Sequence, residues 1–224
     1  LSPWHHGMLG YGKMAEHYRY EMPQMLRDLG YYTFGIGKMH WNPQTALHGF
    51  HATLLDESGR VESENFISDY RKWFQLHAHR QNPDATSIGW NDHGAAIYKL
   101  DEALHPTTWT GKTACELIQN YDTDGDPLFV KISFARPHSP YDPPQRYLDM
   151  YRDADIPKPA IGDWCGEFAE LLDPATVAND APFANFGEDY AVNSRRHYYA
   201  NITFIDDQIG EIIRVLKEKG MYDN

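Results

Sequence analysis

The sequence predicts an α/β fold with parallel strands, because the same order of segments occurs twice along the chain. In each occurrence an amphipathic helix and a turn lead into a short apolar run that is rich in β-forming residues. The first run lies within residues 32–41, and the second covers residues 128–135. Helix–strand repeats of this kind form open sheets whose strands end at one common edge, which carries the ligand site.

The first repeat begins with a helix that has one apolar face. Its apolar residues recur at positions i, i+3, i+4 and i+7, and they are Met22, Met25, Leu26 and Leu29. Pro23 suits the first turn of a helix, and Gly30 suits the position just after its end. The strand that follows ends at Lys38 and His40, which places a cation and an imidazole at the functional edge of the sheet.

The middle of the chain alternates between turn-rich segments and helices. Residues 42–61 are polar and rich in turn residues, and a loop of this length in a compact domain is expected to work at a site. Residues 63–80 have the apolar periodicity of a helix, whereas residues 82–106 are irregular. Thr107 or Thr108 can cap the helix that precedes the second strand.

The second strand also ends in a basic and imidazole-bearing tip, at Arg136 and His138. Residues 152–190 are expected to form a long surface excursion, and from Asn193 to Gly220 the pattern is strongly helical. Its apolar residues alternate steps of four and three, which predicts one continuous stripe packed in the core. The residues of that stripe are Tyr198, Ile202, Ile205, Ile209, Ile212 and Leu216.

Composition narrows the classes of partner. The 224 residues suffice for one sizeable core and carry a formal net charge of -12, which argues against binding to nucleic acid or to an anionic membrane surface. No apolar stretch approaches the roughly 20 residues that span a bilayer. Cys115 and Cys165 lack the spacing of a zinc site or a disulfide framework, and we expect unpaired thiols.

Lys38, His40 and His138 are the candidate catalytic residues. Taken alone, a lysine or histidine in such a position is more often a solvated loop cation or a hydrogen-bonded structural histidine. Their joint placement at two strand tips favours a role in a site over a structural one, because neighbouring parallel strands bring their tips to one edge of the sheet. The sequence therefore predicts that a lysine and imidazoles surround a single anion.

Three motifs, in order, resemble those of the sulfatases of the alkaline-phosphatase superfamily. They are Gly37-Lys38-Met39-His40-Trp41, Arg136-Pro137-His138-Ser139-Pro140-Tyr141-Asp142-Pro143-Pro144 and the helical segment 198–210. The resemblance covers most of the chain from Glu21 onward. It implies a mostly parallel sheet with helices on both faces, incomplete in these residues, and a calcium-centred site at the strand ends. Residues 1–224 would be the central part of a single catalytic domain.

The resemblance implies a role for each candidate. Lys38 corresponds to the lysine that contacts the sulfate and the nucleophile, His40 to the histidine beside the formylglycine nucleophile, and His138 to the histidine that contacts the sulfate or the leaving oxygen. Sulfate transfer places negative charge on equatorial and leaving oxygens, which preorganised cations and a proton donor stabilise. The candidate substrate-binding neighbours are Trp41, Asn42, His48, Arg136, Tyr141 and Asp142.

The sequence departs from the family pattern at the nucleophile and at the metal. Neither cysteine lies in the Cys-x-Pro-x-Arg context that is converted to formylglycine, so the nucleophile is expected before Leu1. The Ca2+ ligands are expected outside this chain, and no metal ligand is assigned within it. Asp92-His93-Gly94 mimics the ligand turn of the family but follows no buried strand, and we treat it as coincidence.

The sequence thus predicts a segment of a sulfuric ester hydrolase that cleaves sulfate from a sulfated carbohydrate or aryl ester, and that is inactive as an isolated chain. A phosphate or phosphonate monoester hydrolase of the same superfamily and a non-catalytic fragment that binds sulfated glycans remain alternatives. Because severed edges of a parallel sheet expose backbone and apolar surface, self-association is expected. Export to the periplasm or the extracellular space is favoured by the resemblance alone.

Overall fold

A three-stranded parallel sheet forms the centre of the computed structural model, which describes residues 2–8, 10, 15, 17–60, 65–166, 177–181 and 185–223. Strand β1 (Tyr32–Gly37) lies between β2 (Ala52–Leu55) and β3 (Leu128–Ser133). The described helices are α1 (Pro3–His6), α2 (Met22–Asp28), α3 (Asp69–His77), α4 (Pro106–Asn120), α5 (Gln145–Asp149) and α6 (Glu188–Glu218), with short 3-10 turns at Glu102–Leu104 and Asp163–Cys165. The predicted parallel α/β architecture is confirmed.

All three strands end at the same level of the sheet. Gly37 pairs with Leu55 of β2 and with Ser133 of β3 in parallel register. Gly37 has a φ of 91°, and a Cβ atom at this position would lie 2.0 Å from the carbonyl oxygen of Ser133, so the close strand pairing requires glycine. The segments that follow these three residues therefore leave the sheet at one edge.

One face of the sheet packs against α4 and α6, the two longest of the described helices. The buried members of this core are Phe34 and Ile36 of β1, Ala114 and Ile118 of α4, and Ile212 and Val215 of α6. Further along α6, Phe204 is buried and its ring stacks on Tyr147 of α5, with the ring centroids 4.6 Å apart. These contacts fix both helices on the sheet and leave its carboxyl edge to the loops.

The structure corrects the expected loop at residues 42–61. Within it, residues 52–55 form the edge strand β2, which pairs with β1. A run of four residues is shorter than the usual strand and shows no clear alternation, so the sequence pattern did not reveal it. The correction matters for the site, because Asp56 and Glu57 follow the end of this strand and both are buried.

Helix boundaries also differ from the sequence prediction. The N-cap of α4 is His105, whose Nδ1 accepts a hydrogen bond from the N–H of Thr107, so the cap is neither Thr107 nor Thr108. Helix α3 is shorter than the predicted helix at residues 63–80, of which residues 63 and 64 lie outside the described part. Helix α6 begins before the predicted Asn193.

The buried face of α6 is only partly the predicted one, because Ile212 is buried and Leu216 packs against the core, whereas other members of the predicted stripe are exposed. The predicted stripe should pack in the core, but its members Tyr198, Ile202 and Ile209 are 36%, 43% and 40% exposed. The residues that α6 buries are His197, Ala200, Asn201, Phe204, Ile212 and Val215. Because the helix has apolar residues on two sides, their periodicity alone does not tell which side faces the core. The apolar face predicted for the first helix is likewise exposed at Met22 and Met25 of α2 and at its C-cap residue Leu29.

Cys115 and Cys165 are both free thiols, as predicted. Within the described ranges, no helix combines the length and the apolar composition that crossing a membrane requires.

Candidate active site

The indole of Trp90 lies where the ends of the three strands meet. Nζ of Lys38, after β1, is 5.0 Å from the centroid of the indole, and the ring of His138, after β3, is 5.3 Å from it. A Cβ atom at Gly59, after β2, would lie 1.8 Å from Nε1 of Trp90, so the indole packs directly on this backbone. The structure thus brings Lys38 and His138, from separate strand tips, to one side chain.

Sequence reasoning missed Trp90. This residue lies in the irregular segment 82–106, and no periodicity or motif includes it. The available signal was its residue type, because tryptophan combines a large apolar ring with a polar N–H group and is enriched at interfaces.

The buried carboxylate of Glu57 fixes the tip of β1. Its Oε1 accepts hydrogen bonds from the N–H groups of Met39 and His40, at 2.8 and 2.9 Å. Its Oε2 accepts a bond from Nε of Arg60, at 3.0 Å. His40 has a φ of 62°, a left-handed conformation that is uncommon outside glycine, and the Glu57 bonds stabilise it. The side chain of His40 is exposed at this edge.

Lys38 is half-buried among charges of both signs. Burial lowers the pKa of Lys38 below its ordinary value of 10.5, and the positive charges of Arg60 and Arg136 lower it further. The carboxylates of Glu57 and Asp56 oppose this decrease in pKa and favour the ammonium form. An ammonium group that has lost part of its hydration attracts an anion more strongly than one in bulk water.

The carboxyl group of Asp56 is fully buried after the end of β2. Burial raises the pKa of Asp56 above its ordinary value of 3.8, while the hydrogen bond that Ser58 N–H donates to Oδ1, at 2.8 Å, and the charge of Arg136 oppose the increase. The hydroxyl oxygen of Ser58 is 3.5 Å from both Oδ2 of Asp56 and Nη1 of Arg136, and it links the tips of β2 and β3.

Arg136 and Asp142 form a buried ion pair at the tip of β3, with 6% and 2% of each residue exposed. Burial acts to raise the pKa of Asp142, but the charge of Arg136 and the nearby ring of His105 outweigh it, and the pKa lies below its ordinary 3.8. Nε2 of His105 is 3.6 Å from Oδ1 of Asp142. Burial lowers the pKa of His105 in spite of this contact. Arg136 and Asp142, predicted as substrate neighbours, therefore have their charges satisfied by each other.

The other predicted substrate neighbours lie in different surroundings. The rings of Trp41 and His48 are in contact, with centroids 4.9 Å apart, and Nδ1 of the buried His48 is 2.9 Å from a carboxylate oxygen of Glu21. Asn42 and Tyr141 are half-buried. The contacts of His48 give it a structural explanation, and a substrate role for these four residues stays a prediction.

A cavity of about 580 Å³ opens beside Trp90. Apolar side chains line much of it, namely Phe66, Ile67, Pro83, Ile88 and Pro140. Its polar rim contains Arg71 and Asp84, which are paired, because Nη2 of the arginine donates to both carboxylate oxygens at 2.9 and 2.8 Å. Its volume lies within the range of small-molecule sites.

The described residues do not fit a calcium site. In the part of the chain that the structure describes, no group of three or more His, Cys, Asp or Glu side chains could hold a metal ion. In the ligand-like turn, Asp92 accepts a hydrogen bond from the N–H of Gly89 at 2.7 Å, and Nε2 of His93 is 2.8 Å from the carbonyl oxygen of Ala181. The side chains of this turn are thus hydrogen-bonded to backbone groups, one near in sequence and one distant.

Known proteins resemble this chain in sequence. A family model described as Sulfatase matches residues 2–224. An arylsulfatase of Clostridium perfringens is 33% identical over 237 residues, which cover 100% of this chain and 48% of the relative. A choline-sulfatase of Rhizobium meliloti is 27% identical over 214 residues, which cover 89% of this chain and 39% of the relative. The chain therefore spans about half the length, or less, of these curated relatives.

A solved structure resembles the chain in fold. The phosphonate monoester hydrolase of Silicibacter pomeroyi matches with a TM-score of 0.68 at 18% identity, and the match covers 99% of this chain and 48% of that chain. At this identity the likeness concerns the fold alone, and it confirms the predicted alkaline phosphatase-like core, incomplete in these residues. The family model extends over nearly all of the sequence, and the chain belongs to the sulfatase family.

Proposed function

We propose that the chain forms part of the active site of a sulfuric ester hydrolase whose substrate is a sulfated carbohydrate or an aryl sulfate. The observation that carries the proposal is the contact of both Lys38 and His138 with Trp90, which joins a cation and an imidazole from two strand tips. The name of the arylsulfatase relative supports an aryl ester as the first substrate to test.

Lys38 is proposed to bind the sulfate group. Its amine is half-buried, and the neighbouring carboxylates of Glu57 and Asp56 favour its protonated form. In hydrolysis, negative charge increases on the sulfate oxygens and on the leaving oxygen, and a fixed ammonium stabilises that charge without reorganisation. The tip that carries Lys38 is already held by Glu57, so the cation is preorganised for this role.

The two imidazoles are proposed to act on the same group. His138 is exposed beside Trp90 and can reach a bound ester, where a protonated ring would give its proton to the leaving oxygen as the S–O bond breaks. His40 is exposed on the same tip as Lys38, and its backbone conformation is held by Glu57. It is proposed to contact the anion on the side of the nucleophile.

Two groups that the family resemblance implies are proposed to come from other residues of the complete protein. They are the formylglycine nucleophile and the Ca2+ ion, which would supply the attacking oxygen and the polarisation of the sulfate. The 224 residues alone are therefore expected to show no turnover of a sulfate ester. Metal-dependent hydrolysis of an aryl sulfate by these residues alone, lost on Lys38→Ala, would contradict this expectation.

Turnover by the full-length protein tests the proposal. With 4-nitrophenyl sulfate as substrate, Lys38→Gln is expected to lower kcat/KM by about 100-fold, the effect of removing one preorganised charge donor. Lys112→Gln is the matched control, because Lys112 is exposed on α4, and it should leave kcat/KM unchanged. Equal activity of the wild type and Lys38→Gln proteins would refute the assignment of Lys38.

The same assay separates the proposal from its two alternatives. A phosphate or phosphonate monoester hydrolase would turn over 4-nitrophenyl phosphate or a phenylphosphonate ester faster than 4-nitrophenyl sulfate. A non-catalytic glycan-binding protein would hydrolyse none of them, yet would bind a sulfated disaccharide more tightly than its desulfated form in a calorimeter. Export and self-association stay predictions. The exposed apolar residues of α2 support self-association.

A further inference from the structure

The indole of Trp90 contacts the proposed anion-binding side chains and also forms a wall of the cavity. An ester whose sulfate lies at Lys38 and His138 has its organic group one S–O–C linkage away from them. That group needs space close to both side chains. The cavity of about 580 Å³ beside the same indole provides such a space.

The chemistry of the cavity walls indicates what this space accepts. Phe66, Ile67 and Ile88 give it apolar surface that faces the same cavity as the indole. Arg71 and Asp84 on the polar rim neutralise each other, so a charged organic group would gain little there. Flat, uncharged groups with an aromatic ring or a C–H face match an indole wall best.

The backbone beneath the indole is fitted to it. Gly59 has no side chain, and a Cβ atom there would lie 1.8 Å from Nε1 and 2.2 Å from Cδ1 of Trp90. A side chain at Gly59 would therefore displace the ring. The position of the indole depends on this glycine as well as on its contacts with Lys38 and His138.

We propose that the cavity receives the organic group of the sulfate ester and that Trp90 binds this group, which makes Trp90 the residue that selects flat organic groups. The inference rests on the proposed function, since it takes the sulfate to lie at Lys38 and His138. Trp90 neither gives nor accepts a proton in the reaction. It contacts the organic part of the leaving group.

Two sulfonates test the proposal by equilibrium binding, because neither carries an S–O–C linkage to hydrolyse. Methanesulfonate presents the anionic group with a small organic part, and naphthalene-2-sulfonate presents it with a flat aromatic part. Calorimetry on the full-length protein gives the preference, defined as the Kd of methanesulfonate divided by that of naphthalene-2-sulfonate. Trp90→Leu is expected to lower this preference about 3- to 10-fold, and Trp90→Phe should retain most of it.

Two further variants keep the result interpretable. Gly59→Ala should lower the preference as Trp90→Leu does, because the added methyl displaces the indole without removing it. Trp4→Leu is the matched control, since Trp4 is 84% exposed, and it should leave the preference unchanged. Retained binding of methanesulfonate by each variant shows that the anion site is still folded.

The possible failures are distinguishable. An equal loss of affinity for both sulfonates in Trp90→Leu, or no loss for either, overturns the role of Trp90 and leaves the proposed function standing. Failure of the wild-type protein to bind methanesulfonate, or full retention of that binding in Lys38→Gln, overturns the proposed anion site and the inference with it.

Discussion

The guanidinium of Arg136 donates two parallel hydrogen bonds to the carboxylate of Asp142, from Nε to Oδ1 at 2.7 Å and from Nη2 to Oδ2 at 3.0 Å. Both side chains are buried, so the pair is a rigid support for the segment between them. That segment includes His138. The ion pair therefore fixes the loop that carries one of the proposed active-site imidazoles.

Removing one partner of this pair is expected to destabilise the fold strongly. Arg136→Met leaves the carboxylate of Asp142 buried without its main counter-charge, which should lower the free energy of unfolding by about 3–5 kcal/mol. The double variant Arg136→Met/Asp142→Leu removes both charges and should lose less than Arg136→Met alone. Urea denaturation measures both values. A double variant less stable than Arg136→Met would contradict the reading of the pair as mutually compensating charges.

Glu57 is expected to position the tip of β1 through its carboxylate. Glu57→Ala removes the acceptor for the N–H groups of Met39 and His40 and should cost about 1–3 kcal/mol of stability, together with a loss of affinity for methanesulfonate. Glu57→Gln keeps an acceptor oxygen and should retain more of both properties. Glu116→Ala, at an exposed position of α4, is the control. Unchanged sulfonate affinity in Glu57→Ala would show that the tip does not need this support.

Asp56 is expected to make the fold less stable as the pH rises. Burial raises its folded-state pKa above the ordinary 3.8, so the folded protein holds this proton over a pH range where the unfolded chain has released it. Because the folded protein binds the Asp56 proton more tightly than the unfolded chain does, the protonated carboxyl stabilises the fold. Linkage predicts that this stabilisation is fully present below pH 3.8 and is lost as the pH increases through the raised pKa.

The variant Asp56→Asn tests whether Asp56 makes the fold less stable as the pH rises. The amide cannot ionise, and its oxygen can still accept the hydrogen bond from the N–H of Ser58. The stability of Asp56→Asn relative to wild type should therefore be greater at neutral pH than near pH 3.8. Urea denaturation at a series of pH values measures it, with the exposed Asp153→Asn as the control. A relative stability that is constant across this range would contradict the buried, proton-holding carboxyl.

The strand tips could be predicted from the sequence because their signals are local. An apolar run that ends in Lys38 and His40 follows a helix and a glycine, and the same order repeats before Arg136 and His138. Parallel pairing then brings the tips to one edge without further information. The structure has this arrangement, with β1 and β3 as direct neighbours.

The parts that the sequence did not reveal depend on contacts between distant segments. Strand β2 has four residues and is recognisable only by its pairing with β1, so Asp56 and Glu57 could not be placed at a strand end. Trp90 belongs to an irregular segment, and its importance lies in its contacts with Lys38, His138 and Gly59. The buried face of α6 depends on its partners in the fold, among them Tyr147, whose ring stacks on Phe204.

Binding of an anion is expected to weaken at alkaline pH because of Lys38. Burial lowers the pKa of Lys38 below its ordinary 10.5, with Glu57 opposing, and only the protonated amine attracts a sulfonate. The affinity of the full-length protein for methanesulfonate should therefore fall as the pH rises through the lowered pKa, before pH 10.5 is reached.

Lys38→Arg isolates this effect. A guanidinium stays protonated across the alkaline range, so the variant should bind methanesulfonate with an affinity that falls less than that of wild type when calorimetry is repeated from about pH 8 upward. Lys112→Arg, changed at an exposed site on α4, should fall in parallel with wild type. Identical pH profiles for wild type and Lys38→Arg would mean that the amine of Lys38 does not bind the anion, because the other titrating groups are common to both proteins.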